Sequence, residues 1–229
     1  MPILVKRIVR AVNRVSKERG IMGVPMWLGY HLYEIWRGVR DPGDTGVEGS
    51  ERNAGDFCRY QPMPYTFIDE VFQALRIRDG RCAILDYGCG KGRVVIEAAR
   101  HACPCVRGVD LDDRLVSVAK DNIARAQPVL RCPDVSVSCG DARTFPVDPR
   151  INAIIMNNPF TGDIMKETLD RVRESYRQHC RAITICYVSS PSETCLATLM
   201  PELRCISGPL ALGVGSGMFL RVYGMGAPL

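Results

Sequence analysis

Between Ile84 and Arg93 the chain reads ILDYGCGKGR, and no other stretch restricts the fold as much. An apolar strand ends at Asp86, glycines follow at alternate positions 88, 90 and 92, and a helical pattern begins. Glycine lets the backbone turn sharply and leaves no Cβ between a ligand and the peptide plane. The helix N-terminus behind it offers unpaired N–H groups to a carboxylate or phosphate. Gly92 follows Lys91 where a phosphate-cradling loop needs Ser or Thr, and Arg93 stands where a dinucleotide fingerprint needs its third small residue. Both of those phosphate-binding readings are therefore disfavoured.

The segments after residue 64 alternate. Hydrophobic spacing predicts helices over 67–75, 92–102, 112–126, 163–180 and 192–200, and strands over 82–87, 106–111, 135–139, 151–157 and 182–188. Strands alternating with helices give βαβ units, hence an α/β fold with a mainly parallel sheet covered on both faces. Apolar runs such as AIIM and ITIC, with no polar alternation, suit that buried setting. Two last strand candidates, 203–206 and 218–223, have no helix between them and read as an antiparallel hairpin at the sheet edge.

A chain of 229 residues, 46% hydrophobic and 24% charged, can bury a core without a metal or disulfide staple. Its eleven cysteines are odd in number and contain no CxxC pair, so zinc and disulfide frameworks fit poorly and no metal site is expected. Cys82 and Cys186 lie inside apolar runs, where a reduced thiol acts as a small hydrophobe. The most apolar stretch, 21–36, is broken by Gly23, Pro25, His31 and Glu34, and the N-terminus has no secretory pattern. The default address is the cytosol.

Charge divides the chain. Residues 1–40 hold eight Lys or Arg against Glu18 and Glu34, whereas the remainder has 22 basic and 23 acidic residues. Val5, Ile8, Val9, Val12 and Val15 recur at helical spacing, with Lys6, Arg7, Arg10, Arg14 and Lys17 on the other faces. One reading is a basic amphipathic helix that meets an anionic partner: a lipid surface, nucleic acid or an acidic protein. The other is the solvated face of a helix packed on the body. Trp27, Tyr30, Tyr33 and Trp36 read as packing residues, and the Gly-, Asp- and Ser-rich stretch 41–56 reads as a linker. The expected division is an N-terminal helical extension, 1–56, and a catalytic body, 57–229.

Two further strands end in acids. GVDLD puts Asp110 at one tip, 22 residues after Gly88, and SCGDA puts Asp141 at the next. An acid about 20 residues beyond a glycine turn is placed to accept from ribose hydroxyls. Three strand-end carboxylates would repel a pyrophosphate but suit ribose, an adenine amino group and an ammonium. This constellation resembles the class I S-adenosylmethionine-dependent methyltransferases. The resemblance implies a seven-stranded Rossmann-like sheet with an antiparallel last strand. It also implies that Asp86, Gly88, Gly90 and Gly92 surround the methionine part of S-adenosylmethionine, that Asp110 and Leu111 lie at the ribose, and that Asp141 and Ala142 meet the adenine edge.

The fourth strand runs into Asn157-Asn158-Pro159-Phe160, which resembles the D/N-P-P-F/Y motif of methyltransferases that modify amine nitrogens, with Asn158 in place of the first proline. Pro159 ends the ladder, freeing the carbonyls around Asn157 and Asn158 and letting Phe160 project into the crevice. The resemblance implies catalytic roles for Asn157, Asn158, Pro159 and Phe160, with Asn157 also beside the cofactor. Methyl transfer is an in-line displacement, so oxygens that accept the amine N–H bonds aim its lone pair. Upstream, YQPMPY (60–65) resembles a segment of DOT1-like and ATP-synthase-subunit lysine methyltransferases, and implies that Tyr60 and Pro62 close over the cofactor. No histidine is placed as a general base, so an amine would shed its proton to solvent. The leading reading is an N-methyltransferase acting on a protein lysine or a small amine. An RNA or DNA methyltransferase and a non-catalytic cofactor-binding protein stay open, and a nicotinamide-dependent oxidoreductase ranks last because of Arg93.

Overall fold

The computed structural model describes residues 60–193, 195–213 and 215–226. The basic helix, the aromatic segment and the linker expected between 1 and 56 lie outside the described residues, as does the boundary at 56.

The described chain runs α1 (Tyr65–Ala74), β1 (Ile84–Tyr87), α2 (Arg93–Ala99), β2 (Val106–Asp110), α3 (Asp113–Ala126), β3 (Val135–Cys139), β4 (Ala153–Asn157), α4 (Gly162–Gln178), β5 (Ile183–Ser189), α5 (Leu196–Leu199), β6 (Arg204–Leu212) and β7 (Met218–Met225). The strands form one seven-stranded sheet in the order β3-β2-β1-β4-β5-β7-β6. β1 pairs in parallel with β2 on one side and β4 on the other, and β7 is antiparallel to both β5 and β6. This is the Rossmann-like sheet of class I methyltransferases, as the resemblance implied.

Successive strand residues point to opposite faces, yet Ile154 and Ile155 are both fully buried. Both faces of the sheet are therefore covered, and each such isoleucine contributes roughly 1.5–3 kcal/mol of burial. α4 supplies one cover with a stripe of Ile164, Met165, Thr168, Leu169, Val172 and Ser175, the spacing of one helix face. α2 is buried along its whole length, so it lies inside rather than on the surface.

Two elements depart from the periodicity. The helix expected over 192–200 is a single turn, Leu196–Leu199, because Pro201 disfavours helical backbone at Met200, which is extended (φ −140°, ψ 91°). The strand expected over 203–206 continues through Gly208 and Pro209 to Leu212. An edge strand tolerates these residues, and its register slips between Cys205 and Ser207 and again between Ser207 and Leu210.

Candidate active site

Strand order reverses at β1: the chain proceeds to β2 on one side and later returns to β4 on the other. In open α/β sheets the crevice beyond such a point is where ligands bind. Asp86 pairs with Ile155 and Tyr87 with Met156, so the glycine loop and the Asn-Asn-Pro-Phe segment leave the sheet at the same level. A Cβ on Gly88 would lie 2.8 Å from the Pro159 Cβ, so only glycine at 88 (φ +75°) admits this contact. A Cβ on Gly90 (φ +52°) would run into the Tyr60 ring. Three motifs far apart in sequence thus meet around one loop. Gly92 caps α2. Gly90 is buried beneath Tyr60, whereas Gly88 is open, so the bare backbone reachable from the crevice is at Gly88.

The three acids, similar in sequence, differ in state. Asp86 is 2% exposed and its Oδ2 has no hydrogen-bond partner. Burial, followed by the neighbouring Asp110 charge, pushes its carboxyl well above the usual range. Asp110 ties the loop to β2: its Oδ2 accepts from the Gly90 N–H at 2.8 Å and its Oδ1 from the Asp112 N–H at 3.0 Å. Burial raises it too, opposed by those N–H donors. Asp141 is gripped by its neighbour Arg143, with Nε 3.0 Å from each carboxylate oxygen and Nη2 2.6 Å from Oδ2, which holds it below the usual range. The expected row of three free acids is instead one unpaired buried carboxyl, one loop clasp and one neutralised ion pair. Leu111, 46% exposed, lies beside Asp110, and the half-buried Ala142 packs on the core.

At the end of β4 Asn158 adopts a left-handed backbone (φ +44°), and its N–H donates to the Val188 carbonyl at 2.8 Å. Its side-chain Oδ1 is buried without a partner. Asn157 donates from Nδ2 to the Gln61 carbonyl at 3.2 Å, joining the strand end to the segment above. The Phe160 ring, expected to project into the crevice, packs in the main core cluster edge-on to Tyr87 with centroids 6.4 Å apart. Apolar neighbours on β1 and α4 offer that ring more burial than the crevice mouth does.

The segment 60–65 is held by the two basic residues of the glycine loop, a role the sequence reading missed. The Lys91 ammonium sits 5.0 Å from the Tyr60 ring centroid and the Arg93 guanidinium 5.0 Å from that of Tyr65. Arg93 also donates from Nη1 to the Met63 carbonyl at 3.0 Å. Met63 is buried and Pro62 half-buried. The signal lay in two tyrosines upstream matching two cations in KGR.

An unpartnered buried carboxyl, an unpartnered buried amide oxygen and an open glycine backbone together fit a cationic nucleoside such as S-adenosylmethionine. A family model described as a methyltransferase domain matches residues 84–183. Ribosomal protein L11 methyltransferase of Dechloromonas aromatica is 48% identical over 44 residues, which is 19% of this chain and 15% of that protein. The protein of the same name from Janthinobacterium sp. is 35% identical over 79 residues, 34% of this chain and 24% of its own length. The chain thus spans a quarter or less of these relatives' lengths. They are not the DOT1-like proteins that YQPMPY resembles. Among solved structures, an RNA methyltransferase from Salinibacter ruber in complex with S-adenosyl-L-homocysteine superposes with a TM-score of 0.53 at 16% identity, over 74% of this chain and 96% of that one, a likeness of fold. That sheet order, with a methyltransferase-domain match inside it, gives the chain the fold of the class I S-adenosylmethionine-dependent methyltransferases.

Proposed function

We propose that the chain methylates an amine nitrogen, with a protein lysine as the favoured acceptor and a small amine as the other member of that class. The observation that carries this reading is the Asn158 Oδ1, buried without a partner on the residue before Pro159, which packs against Gly88. An acceptor left unsatisfied in a buried place costs about 1–3 kcal/mol, which an incoming N–H donor would recover. The relatives that act, by name, on a ribosomal protein support a protein substrate.

S-adenosylmethionine, when bound, supplies an electrophilic methyl group on a positively charged sulfur. Gly88, Asp86, Asp110 and Leu111 would hold it, with Asp141 and Ala142 at its far end. Asn158 Oδ1 accepts an N–H of the substrate amine and so turns the nitrogen lone pair toward the reacting centre. Tyr60 and the rest of the 60–65 segment exclude water. The amine enters already deprotonated by solvent: of the histidines among the described residues, His101 meets Phe72 edge-on (centroids 5.6 Å apart) and His179 caps the C-terminus of α4.

In an assay with tritiated methyl donor over a cell lysate, wild-type protein labels a protein band and Asn158→Ala labels it at least tenfold more weakly, the usual scale for a lost orienting contact. Equal labelling removes Asn158 from the mechanism. A second reading, nucleic-acid methylation, is favoured by the eight basic residues within 1–40. It requires substrate affinity that falls steeply with salt and a slope that shrinks when 1–20 are removed. Residues 1–56 as an extension that meets an anionic partner, and 57–229 as the catalytic body, belong to the same proposal. A cytosolic setting is supported by the many buried reduced thiols. Among the described residues no helix is long and apolar enough to cross a membrane.

A further inference from the structure

Asp86 is the penultimate residue of β1, at the base of the crevice, and its Oδ2 faces no donor. Among the described residues, the groups beside it bring no positive charge. Asp110 faces it from β2 and the Cys89 thiol from the loop, while its register neighbours Gly108 and Ile155 carry none. Lys91, the cation of the same loop, sits over the Tyr60 ring. An ionised carboxylate buried beside a second acid, with no counter-ion among the described residues, is strongly disfavoured, which favours the neutral acid while the crevice is empty. A neutral acid is a poor counter-ion for a cation brought in beside it.

We propose that Asp86 senses charge in the crevice: it is protonated in the ligand-free protein and gives up that proton when a ligand bearing an ammonium or sulfonium binds. The O–H bond breaks, its electron pair stays on the carboxylate, the proton passes to the buffer, and the ligand's positive charge takes its place. Binding of a cationic nucleoside therefore strengthens as pH rises through the titration of Asp86, by about tenfold per pH unit below its own pKa. A neutral nucleoside such as adenosine displaces no proton. This inference rests on the crevice being the S-adenosylmethionine site.

The test is calorimetric titration of the full chain with S-adenosylmethionine at about pH 6, where the ligand amine is fully protonated. It is run in buffers of different ionisation enthalpy, so that the slope of heat against that enthalpy counts protons. About one proton released per ligand by wild type, and close to none by Asp86→Asn or with adenosine, is the expected result. Clear binding with zero slope in wild type overturns the inference and leaves the methyltransferase reading standing. An unchanged slope in Asp86→Asn assigns the proton to another group and also overturns it. If that variant does not fold, the wild-type pH dependence decides: affinity that stays flat where a tenfold change per unit is expected refutes the inference. No binding heat for S-adenosylmethionine in any buffer removes the cofactor reading and this inference together.

Discussion

Asn158 shows how one backbone angle changes the meaning of a motif. Its position corresponds to a proline in D/N-P-P-F/Y, yet its φ of +44° lies on the opposite side of the map from the −65° to which a proline ring is fixed. Asparagine tolerates the left-handed region better than most residues, so the departure is a different local geometry rather than a conservative exchange. Asn158→Pro would also delete the N–H bonded to the Val188 carbonyl. We expect this variant to lose about 2–4 kcal/mol in urea unfolding, combining backbone incompatibility with a lost hydrogen bond. Asn158→Gly suits the same φ, so it should stay within about 1 kcal/mol of wild type while losing the Oδ1 and with it the activity. A proline variant as stable as wild type would mean that residue 158 is not left-handed in solution.

At the scale of elements, the 60–65 segment and the glycine loop form one unit. Arg93, 4% exposed, contributes a cation–π contact and a hydrogen bond, while Asn157 fastens the other end at Gln61. Buried cation–π contacts are worth about 2 kcal/mol, so losing one should raise the open population roughly thirtyfold. Arg93→Met keeps the packed stem and removes the cation. Amide hydrogen exchange over residues 61–68 should then quicken by at least tenfold while β1 and β4 keep their protection. Unchanged exchange in the segment would show that it is held by something other than Arg93. Because Tyr60 covers Gly90, the same variant exposes the loop backbone that the closed segment hides.

For the whole molecule, the two ends of the sheet respond to pH in opposite senses. Away from the crevice Asp134 pairs with Arg107 at 2.6 Å and Arg150 at 3.0 Å, which hold its carboxyl down to about 2. A depressed acid stabilises the fold above the ordinary carboxylate pKa near 4, and that contribution disappears as pH falls toward about 2. Asp86 is raised instead, so the folded state holds its proton longer than the unfolded chain does. Its penalty is absent below about pH 4 and grows as pH rises above that value until Asp86 itself ionises. Ligand-free Asp86→Asn should therefore melt higher than wild type at neutral pH, with the gap closing as the solution is acidified to about pH 4. Melting curves that coincide at every pH would mean that Asp86 is already ionised in the fold. Much of the architecture was legible from local pattern alone: the glycine turn after β1, the alternation of strands and helices, and the helix-free final hairpin each rest on nearest-neighbour sterics and periodicity. So did the placing of acids at three strand tips. The burial that raises the Asp86 carboxyl, the ion pair that neutralises Asp141, the inward turn of Phe160 and the clasp of Arg93 on Tyr65 were decided by tertiary structure. Each depends on groups brought together through space, because charge state and burial belong to a neighbourhood rather than to a stretch of chain.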